Sequence, residues 1–242
     1  LSKLLDMAVP GNRIPRVFMN TGLEMVSVVK FVKSLAVSDP RIVIVNSTIP
    51  VKKSLEEYGY PIKNKEFSKY ADLYWRKGLT KSTSAYLSYT GPGCVPPKFR
   101  YIFTRSNKIH FSDKCCEIRK EKPLWVWARE NKKTIALIAL VGGEGGRRDK
   151  FSKSNGKIVC FTSKSSLQSY FYPLRKVDEE FVNAVVANEG VRLCELYYPP
   201  FNFCRTGCKG CPFTIDLERR LELLEKYFPG EYAQCMTIWK PV

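Results

Sequence analysis

Two short runs of β-branched residues stand near the start of the chain, at residues 16–22 (RVFMNTG) and 41–46 (RIVIVN). Continuous apolar runs of this length, bounded by Gly or Asn, are typical of buried parallel strands. Between them an apolar residue recurs every three positions, which is the spacing of one helical face. These positions are Leu23, Val26, Val29, Val32 and Leu35. The pattern therefore predicts a βαβ unit.

The same alternation continues along the chain. Residues 1–8 (LSKLLDMA) predict the end of an earlier crossover helix, and residues 132–143 (KKTIALIALVGG) predict a third buried strand. Residues 52–111, rich in Tyr, Lys, Ser and Pro, predict an irregular or helical insertion. Alternating strands and helices favour a doubly wound, mostly parallel α/β sheet, in which ligands bind beyond the carboxyl ends of the strands. The expected ligand loops are 20–24 (NTGLE) and 142–148 (GGEGGRR).

The last third of the chain changes character and is predicted to be helical and rich in cysteine. Residues 176–190 predict a helix that is capped by Asp178 and ended by Gly190, and residues 214–235 predict an amphipathic helix that stops at Pro229 and Gly230. We therefore predict two domains, an α/β nucleotide-binding domain at 1–150 and a helical, cysteine-rich segment at 151–242.

The net charge predicts the chemical class of the partner, and the cysteine content predicts the cellular compartment. The 40 Lys and Arg against 23 Asp and Glu give a formal net charge of +17, which predicts a polyanionic partner: nucleic acid, a nucleotide, or a phosphorylated or sulfated substrate. Nine cysteines, an odd number, do not form a secreted disulfide framework and favour a reducing cytoplasm. Residues 1–11 do not have the pattern of a signal peptide, and the sequence has no apolar run of the ~18 residues that a membrane span needs, so we expect a soluble protein.

The cysteines form two motifs. Cys115 and Cys116 are adjacent, and Cys208 and Cys211 have the two-residue spacing that lets two thiolates meet one metal centre. These four make a Cys₄ ligand set; the further candidates are Cys235, as a replacement for one of the tandem pair, and Cys204 as a spare. Thiolates suit both iron-sulfur clusters and Zn²⁺, so both remain open. The isolated cysteines are expected in the core or inert: Cys94, Cys160 and Cys194.

These motifs resemble the adenylyl-sulfate and phosphoadenylyl-sulfate reductase family, within the adenine nucleotide alpha-hydrolases and N-type ATP pyrophosphatases. The similarity lies in DKCCEIRKEKPLW (113–125), CKGCP (208–212) and RVFMNTGLE (16–24), where Asn20 replaces the family's usual Asp. RTGCKGCPF, YPLRKVDEEFV and the late QC resemble an iron-sulfur, reductase-like branch. The resemblance implies a four-iron, four-sulfur (4Fe-4S) cluster and an adenine nucleotide or sulfonucleotide substrate.

The resemblance also implies where the nucleotide binds. The strand-end candidates are Asn20, Thr21, Gly22 and Glu24, and the candidate anion-binding cations are Arg119, Lys120, Arg147 and Arg148. A solvated helix face is the alternative for Arg119 and Lys120. Neither the family's phosphate loop of SGGKDS type, which is expected just before the helix that residues 1–8 end, nor its C-terminal catalytic cysteine motif occurs among residues 1–242. No catalytic residue is therefore assigned.

Three functions fit these observations. The first is a phosphoadenylyl-sulfate reductase-like enzyme, for which a thiol reductant is a natural partner. The second is an ATP-pyrophosphatase-type enzyme that activates nucleic acid for sulfur insertion, and the net charge of +17 favours it. The third is a nonenzymatic nucleic-acid-binding module that a Cys₄ zinc site stabilises.

Overall fold

The computed structural model describes residues 1–141, 160–162, 169–214 and 216–240, which form a mixed α/β structure in which helices predominate. In chain order the elements are α1 (Ser2–Ala8), β1 (Arg16–Asn20), α2 (Val26–Ser38), β2 (Ile42–Asn46), α3 (Val51–Tyr58), α4 (Lys65–Lys77), α5 (Lys81–Ser88), α6 (Lys122–Glu130), β3 (Ile135–Leu137), β4 (Cys160–Thr162), β5 (Ser169–Phe171), α7 (Glu179–Asn188), α8 (Leu217–Tyr227) and α9 (Pro229–Trp239). Short 3₁₀ helices cover Pro97–Phe103 and Glu195–Tyr197, and a π-helix covers Glu117–Glu121. None of these helices is both long enough and apolar enough to cross a membrane.

The predicted βαβ unit is present. Strands β1 and β2 pair in the same direction, since the Arg16 amide donates to the Arg41 carbonyl at 2.8 Å and the Ser47 amide donates to the Asn20 carbonyl at 2.9 Å. The connecting helix α2 begins only at Val26, which is exposed, so the predicted apolar face is wrong at that position. Leu23 is buried, but it lies in the loop before the helix.

The described strands form two small sheets. In the second sheet β5 pairs in parallel with β3 and antiparallel with β4. The strand predicted at 132–143 extends only over Ile135–Leu137, and the chain turns before it at Lys132, whose φ is +53°. A single doubly wound sheet therefore stays a prediction. The loop predicted at 142–148, with Arg147 and Arg148, lies outside the described residues.

The chain divides into two compact units. One consists of Leu1–Val17, Ala36–Val43 and Trp125–Cys194, and the other of Phe18–Leu35, Ile44–Leu124 and Glu195–Val242. Each unit draws residues from both sides of position 150, where a domain boundary was predicted. All the cysteines of the two predicted metal motifs belong to the second unit.

The segment predicted as an insertion at 52–111 is largely helical and has its own core. Phe67 is fully buried, and its ring packs edge-on against Phe99 and Phe103, with ring centroids 5.6 and 5.4 Å apart. Helix α4 begins where the Asn64 side chain accepts a hydrogen bond from the Phe67 amide. A parallel β-bridge joins Tyr60 to Phe111, so the two ends of residues 60–111 lie side by side.

The C-terminal helices confirm one predicted boundary and correct another. Asp178 caps α7, since its carboxylate accepts a hydrogen bond from the Phe181 amide at 2.8 Å. Helix α8 ends at Tyr227, close to the predicted stop, but Pro229 then begins a new helix, α9. Proline is well suited to the first turn of a helix, where its missing N–H has no intrahelical partner to lose.

A buried carboxylate in α4 gives a first prediction. Asp72 is 4% exposed and accepts hydrogen bonds from Arg76 Nη2 at 2.8 Å and His110 Nε2 at 2.9 Å. Burial favours a higher pKa for Asp72, but the bonds from Arg76 and His110 outweigh it and hold the pKa below its usual value. We expect Asp72→Asn to lower the free energy of unfolding at pH 7 by about 1–3 kcal/mol, measured by urea denaturation.

The same measurement at lower pH tests the electrostatic origin of this effect. Because the folded-state pKa of Asp72 is depressed, its contribution is fully present above the unfolded pKa of about 4 and is lost as the pH falls through the folded value. The stability difference between native protein and Asp72→Asn should therefore shrink below pH ~4. The control is Glu66→Gln, an exposed carboxylate in the same helix. A difference that does not change with pH would contradict this assignment.

Candidate functional site

Four of the five predicted metal ligands line one cavity. They are Cys115, Cys116, Cys208 and Cys211, and the remaining lining comes from Thr21, Leu23, Pro61, Arg119, Lys120, Phe213 and Trp239. We call this space the thiol cavity. It brings together two motifs that are 91 residues apart in the sequence. In the part of the chain that the structure describes, no three Cys, His, Asp or Glu side chains are grouped as ligands of a single metal ion.

The turn that carries Cys208 and Cys211 is fixed against the strand-end loop. Cys208 forms a β-bridge with Glu24, and the Lys209 amide donates to the Leu23 carbonyl at 2.6 Å. Gly210 has a φ of +64°, and a Cβ atom at that position would lie 2.5 Å from Trp239 Nε1. Only glycine tolerates both conditions. The turn is therefore held by backbone bonds on one side and by close packing on the other.

An ion pair between Lys209, in this turn, and Glu231, on α9, holds the turn in place. Lys209 Nζ lies 3.0 Å from Glu231 Oε2 and 2.8 Å from Gln234 Oε1, and the side chains of Lys209 and Glu231 are 4% and 12% exposed. The Glu231 carboxylate also accepts a hydrogen bond from the Val26 amide at 3.1 Å. One carboxylate on α9 thus joins the cysteine turn to the first residue of α2. Sequence reasoning missed this pair, because a Lys between two cysteines carries no signal of burial.

The remaining cysteines lie elsewhere. Cys235 is fully buried and is not among the described residues that line the thiol cavity; its Sγ packs 3.2 Å from where a Cβ of Gly210 would stand. Burial raises the pKa of Cys235 to about 11. Cys204 is exposed, Cys94 is half-buried and Cys194 is buried. The side chain of Cys160 lies outside the described residues.

Burial makes three of the cavity thiols, Cys115, Cys208 and Cys211, poor acids. It raises the pKa of Cys211 to about 12, and it raises the pKa of Cys115 well above its usual value, with further increases from the neighbouring Cys116 and Cys208 thiols. Burial and the Glu24 carboxylate raise the pKa of Cys208. At neutral pH these thiols keep their protons in the absence of a cation, so metal binding must displace them.

Arg119 is a buried cation that borders the thiol cavity. Its side chain is 3% exposed; Nη1 donates to the Ile49 carbonyl at 2.6 Å, and Nη2 donates to the Thr21 carbonyl. Nε has no hydrogen-bond partner, and no carboxylate among the described residues forms an ion pair with Arg119. Burial lowers the pKa of Arg119. A solvated helix face therefore does not describe Arg119, whereas Lys120 is exposed and lines the thiol cavity.

A second, more open pocket lies at the carboxyl ends of β1 and β2. It has a volume of about 320 Å³, and its lining consists of Asn20, Thr21, Gly22, Asn46, Ser47, Thr48, Ile49, Pro50, Val51 and Arg119. We call it the strand-end pocket. Three of its residues were predicted from the first strand, and the contribution of residues 46–51 was missed. Thr21 and Arg119 line both the strand-end pocket and the thiol cavity.

The polar groups around the strand-end pocket are partly engaged with each other. Asn20 Nδ2 donates to Asn46 Oδ1 at 2.9 Å, and the Gly22 amide donates to Asn20 Oδ1 at 3.1 Å. The Glu24 carboxylate accepts from the Thr21 amide at 2.8 Å and from Thr21 Oγ1 at 2.7 Å. Glu24 therefore braces the loop, and it is not among the residues that line the pocket.

The buried ion pair gives a prediction about stability. Lys209→Met leaves the Glu231 carboxylate buried without its counter-charge, so we expect the free energy of unfolding to fall by about 3–5 kcal/mol in urea denaturation. The double variant Lys209→Met/Glu231→Gln removes both charges and keeps an acceptor for the Val26 amide, so it should recover part of this loss. Lys226→Met, an exposed position on α8, is the control. Equal losses in the single and double variants would contradict a net electrostatic role for the pair.

No protein-family model matches this chain, and no curated protein is significantly similar to it. The resemblance to sulfonucleotide reductases rests on the motifs quoted above.

Proposed function

We propose that this protein is an iron-sulfur enzyme of the sulfonucleotide reductase type. In this proposal a 4Fe-4S cluster is held by Cys115, Cys116, Cys208 and Cys211, and an adenine nucleotide binds in the strand-end pocket. One observation carries the proposal: cysteines from two distant motifs line a cavity that shares Thr21 and Arg119 with a pocket at the carboxyl ends of parallel strands. A doubly wound sheet with a cysteine-rich C-terminal segment is part of the same proposal.

The chemistry of the donor set fits a metal centre. Four thiols are the usual ligands of a 4Fe-4S cluster, and Gly210 lets the turn that carries two of them pack against Trp239. A bound cluster supplies a structural crosslink between the two motifs and a fixed charge beside the pocket. A Cys₄ zinc site uses the same ligand type and is the alternative that metal analysis must decide.

The strand-end pocket fits an anionic ligand of nucleotide type. Its volume of about 320 Å³ lies at the lower end of the range for small-molecule sites. Arg119 supplies the positive charge that phosphate or sulfate oxygens require, and the side-chain amides of Asn20 and Asn46 supply neutral polar groups. A buried guanidinium without a carboxylate partner is costly, and an anion in either adjoining cavity offsets that cost.

Two reactions suit such a site, and they differ in their products. A sulfonucleotide reductase breaks the bond between the sulfate sulfur and the adenylyl phosphate oxygen, releasing sulfite and the nucleotide while two electrons come from a thiol reductant. An ATP-pyrophosphatase-type enzyme instead adenylates a nucleic acid and releases pyrophosphate before sulfur insertion. The net charge of +17 is the observation that keeps the second reaction as a candidate.

The metal centre is tested by replacing the cavity thiols. We expect anaerobically purified protein to be brown, with the broad absorbance near ~400 nm that thiolate-ligated clusters have, and to bind iron and sulfide. Cys208→Ser and Cys211→Ser should each lose most of the iron, and the protein should become less stable because metal binding free energy is also folding free energy.

The chain offers matched controls for these variants. Cys204 lies in the same segment but is exposed, and Cys94 is half-buried away from the thiol cavity. Cys204→Ser and Cys94→Ser should keep the full iron content and absorbance. A colourless protein with one equivalent of zinc would contradict the cluster and support a zinc-stabilised module. Full iron content in Cys208→Ser would contradict the ligand assignment.

The nucleotide site is tested by adding a negative charge to it. In Asn46→Asp the new carboxylate still accepts the hydrogen bond from Asn20, so the fold should be preserved, but the charge repels an anionic ligand. We expect about tenfold weaker binding of adenylyl sulfate, its 3′-phosphate form or ATP, measured by calorimetry. Asn183→Asp, at an exposed position on α7, is the control and should bind normally. Unchanged affinity in Asn46→Asp would contradict the site.

The reaction itself is tested with product assays on one preparation. Sulfite release from an adenylyl sulfate would support the reductase and exclude the nucleic-acid reaction as the main activity. Pyrophosphate release from ATP that depends on added RNA or DNA would support the nucleic-acid reaction and exclude the reductase as the main activity. Silence in both assays would contradict the enzyme proposal.

A further inference from the structure

The helical segment between Tyr60 and Phe111 has an almost purely cationic surface. Residues 60–111 contain ten Lys and Arg against two acidic residues, Glu66 and Asp72. Asp72 is buried and already bound to Arg76 and His110, so its charge does not balance the surface. Among the described residues, none of the exposed cations Lys69, Lys77, Lys81, Lys98, Arg100, Arg105 and Lys108 forms an ion pair with a carboxylate. This segment carries about half of the net positive charge of the chain.

Exposed aromatic rings are interspersed with these cations. Trp75, Tyr89 and Tyr101 are 45%, 50% and 53% exposed, although the same segment buries Phe67 and Phe103 completely or nearly so. The Trp75 ring is stacked on His110 with centroids 5.2 Å apart and an interplanar angle of 13°, so its position is fixed. Fixed aromatic rings among lysines and arginines are the two components of surfaces that bind single-stranded nucleic acid, which offers phosphates and unpaired bases.

Both ends of the segment lie beside the thiol cavity. The Tyr60 amide donates to the His110 carbonyl at 2.8 Å and the Ser112 amide donates to the Tyr60 carbonyl at 2.9 Å, so the two ends of the segment are tied together. Pro61, which follows the first end, and Cys115, which follows the second, both line the thiol cavity. The segment therefore begins and ends beside the candidate site.

We propose that residues 60–111 form a docking surface for single-stranded nucleic acid. The cations neutralise phosphates, and Trp75 and Tyr101 stack on bases. The docking itself is independent of the nucleotide chemistry, but a role for the bound nucleic acid as the molecule that receives sulfur rests on the second of the two reactions proposed above, the ATP-pyrophosphatase type. Duplex DNA and anionic membranes are also attracted to positive charge, and they are included in the test as competing occupants.

Binding is measured by fluorescence anisotropy with labelled 20-nucleotide RNA and DNA probes in 50–300 mM salt. We expect both single-stranded probes to bind, with an affinity that falls with salt by a log-log slope of about −0.7 for each phosphate neutralised. Tighter binding of either RNA or DNA identifies the sugar that the surface prefers. Tighter binding of a duplex of the same sequence, or of phosphatidylserine vesicles, would overturn the assignment to single strands.

Two sets of substitutions separate a local surface from a general charge effect. The triple variant Lys77→Gln/Arg100→Gln/Lys108→Gln should reduce the magnitude of the salt slope by about two and weaken binding at least tenfold. The matched triple variant Lys30→Gln/Lys33→Gln/Lys226→Gln removes the same charge from exposed positions outside the segment and should change binding far less. Equal weakening by the two sets would overturn the proposal.

The aromatic contribution is tested with Trp75→Ala and Trp75→Phe. Loss of a stacked base contact should weaken binding by about tenfold in Trp75→Ala, whereas Trp75→Phe should retain most of the affinity. Tyr101→Ala provides a second test at a position that does not contact His110. No effect of either alanine variant would overturn the stacking role. All these measurements report binding alone. Binding can therefore be detected when the product assays show no activity, and activity can be detected when the probes do not bind.

Discussion

The buried ion pair between Lys209 and Glu231 is the interaction on which the geometry of the candidate site depends. An ammonium group that loses water inside a protein needs a counter-charge and hydrogen-bond acceptors, and Glu231 and Gln234 provide them from α9. The same lysine donates its backbone amide to Leu23. The cysteine turn, the strand-end loop and the last helix are therefore positioned by one residue, and displacing it would move Cys208 and Cys211 relative to Thr21.

Arg119 extends this dependence to the ligand sites. Its donors fix the carbonyls of Thr21 and Ile49 at the ends of the two parallel strands, while its charge lies between the thiol cavity and the strand-end pocket. One cation thus faces two places where negative charge is expected. Any change of charge in the thiol cavity alters the electrostatic field in the strand-end pocket. The two cavities are therefore coupled electrostatically, and this coupling requires no conformational change.

The cysteine set was the most predictable part of the site, because thiol spacing is a local property of the sequence. The βαβ unit was predictable because hydrophobic periodicity is also a local property of the sequence. Lys209, Glu231 and Trp239 were not, since their partners are distant in sequence and a charged residue normally indicates a surface. Pro229 was interpreted as a stop, but proline is equally suited to beginning a helix, and only tertiary packing decides between the two.

The bridge between Tyr60 and Phe111 has a consequence for how this protein can vary. Because the chain leaves and re-enters the frame at two adjacent residues, the fifty residues between them behave as a closed cassette with its own core. The entropy of closing such a loop depends only weakly on its length. Insertions, deletions or exchange of the part of this cassette beyond Pro61, which lines the thiol cavity, would leave the cysteine turn and the strand ends in place. Changes in this segment can therefore alter its surface charge and its exposed aromatic rings without altering the cysteines that line the thiol cavity.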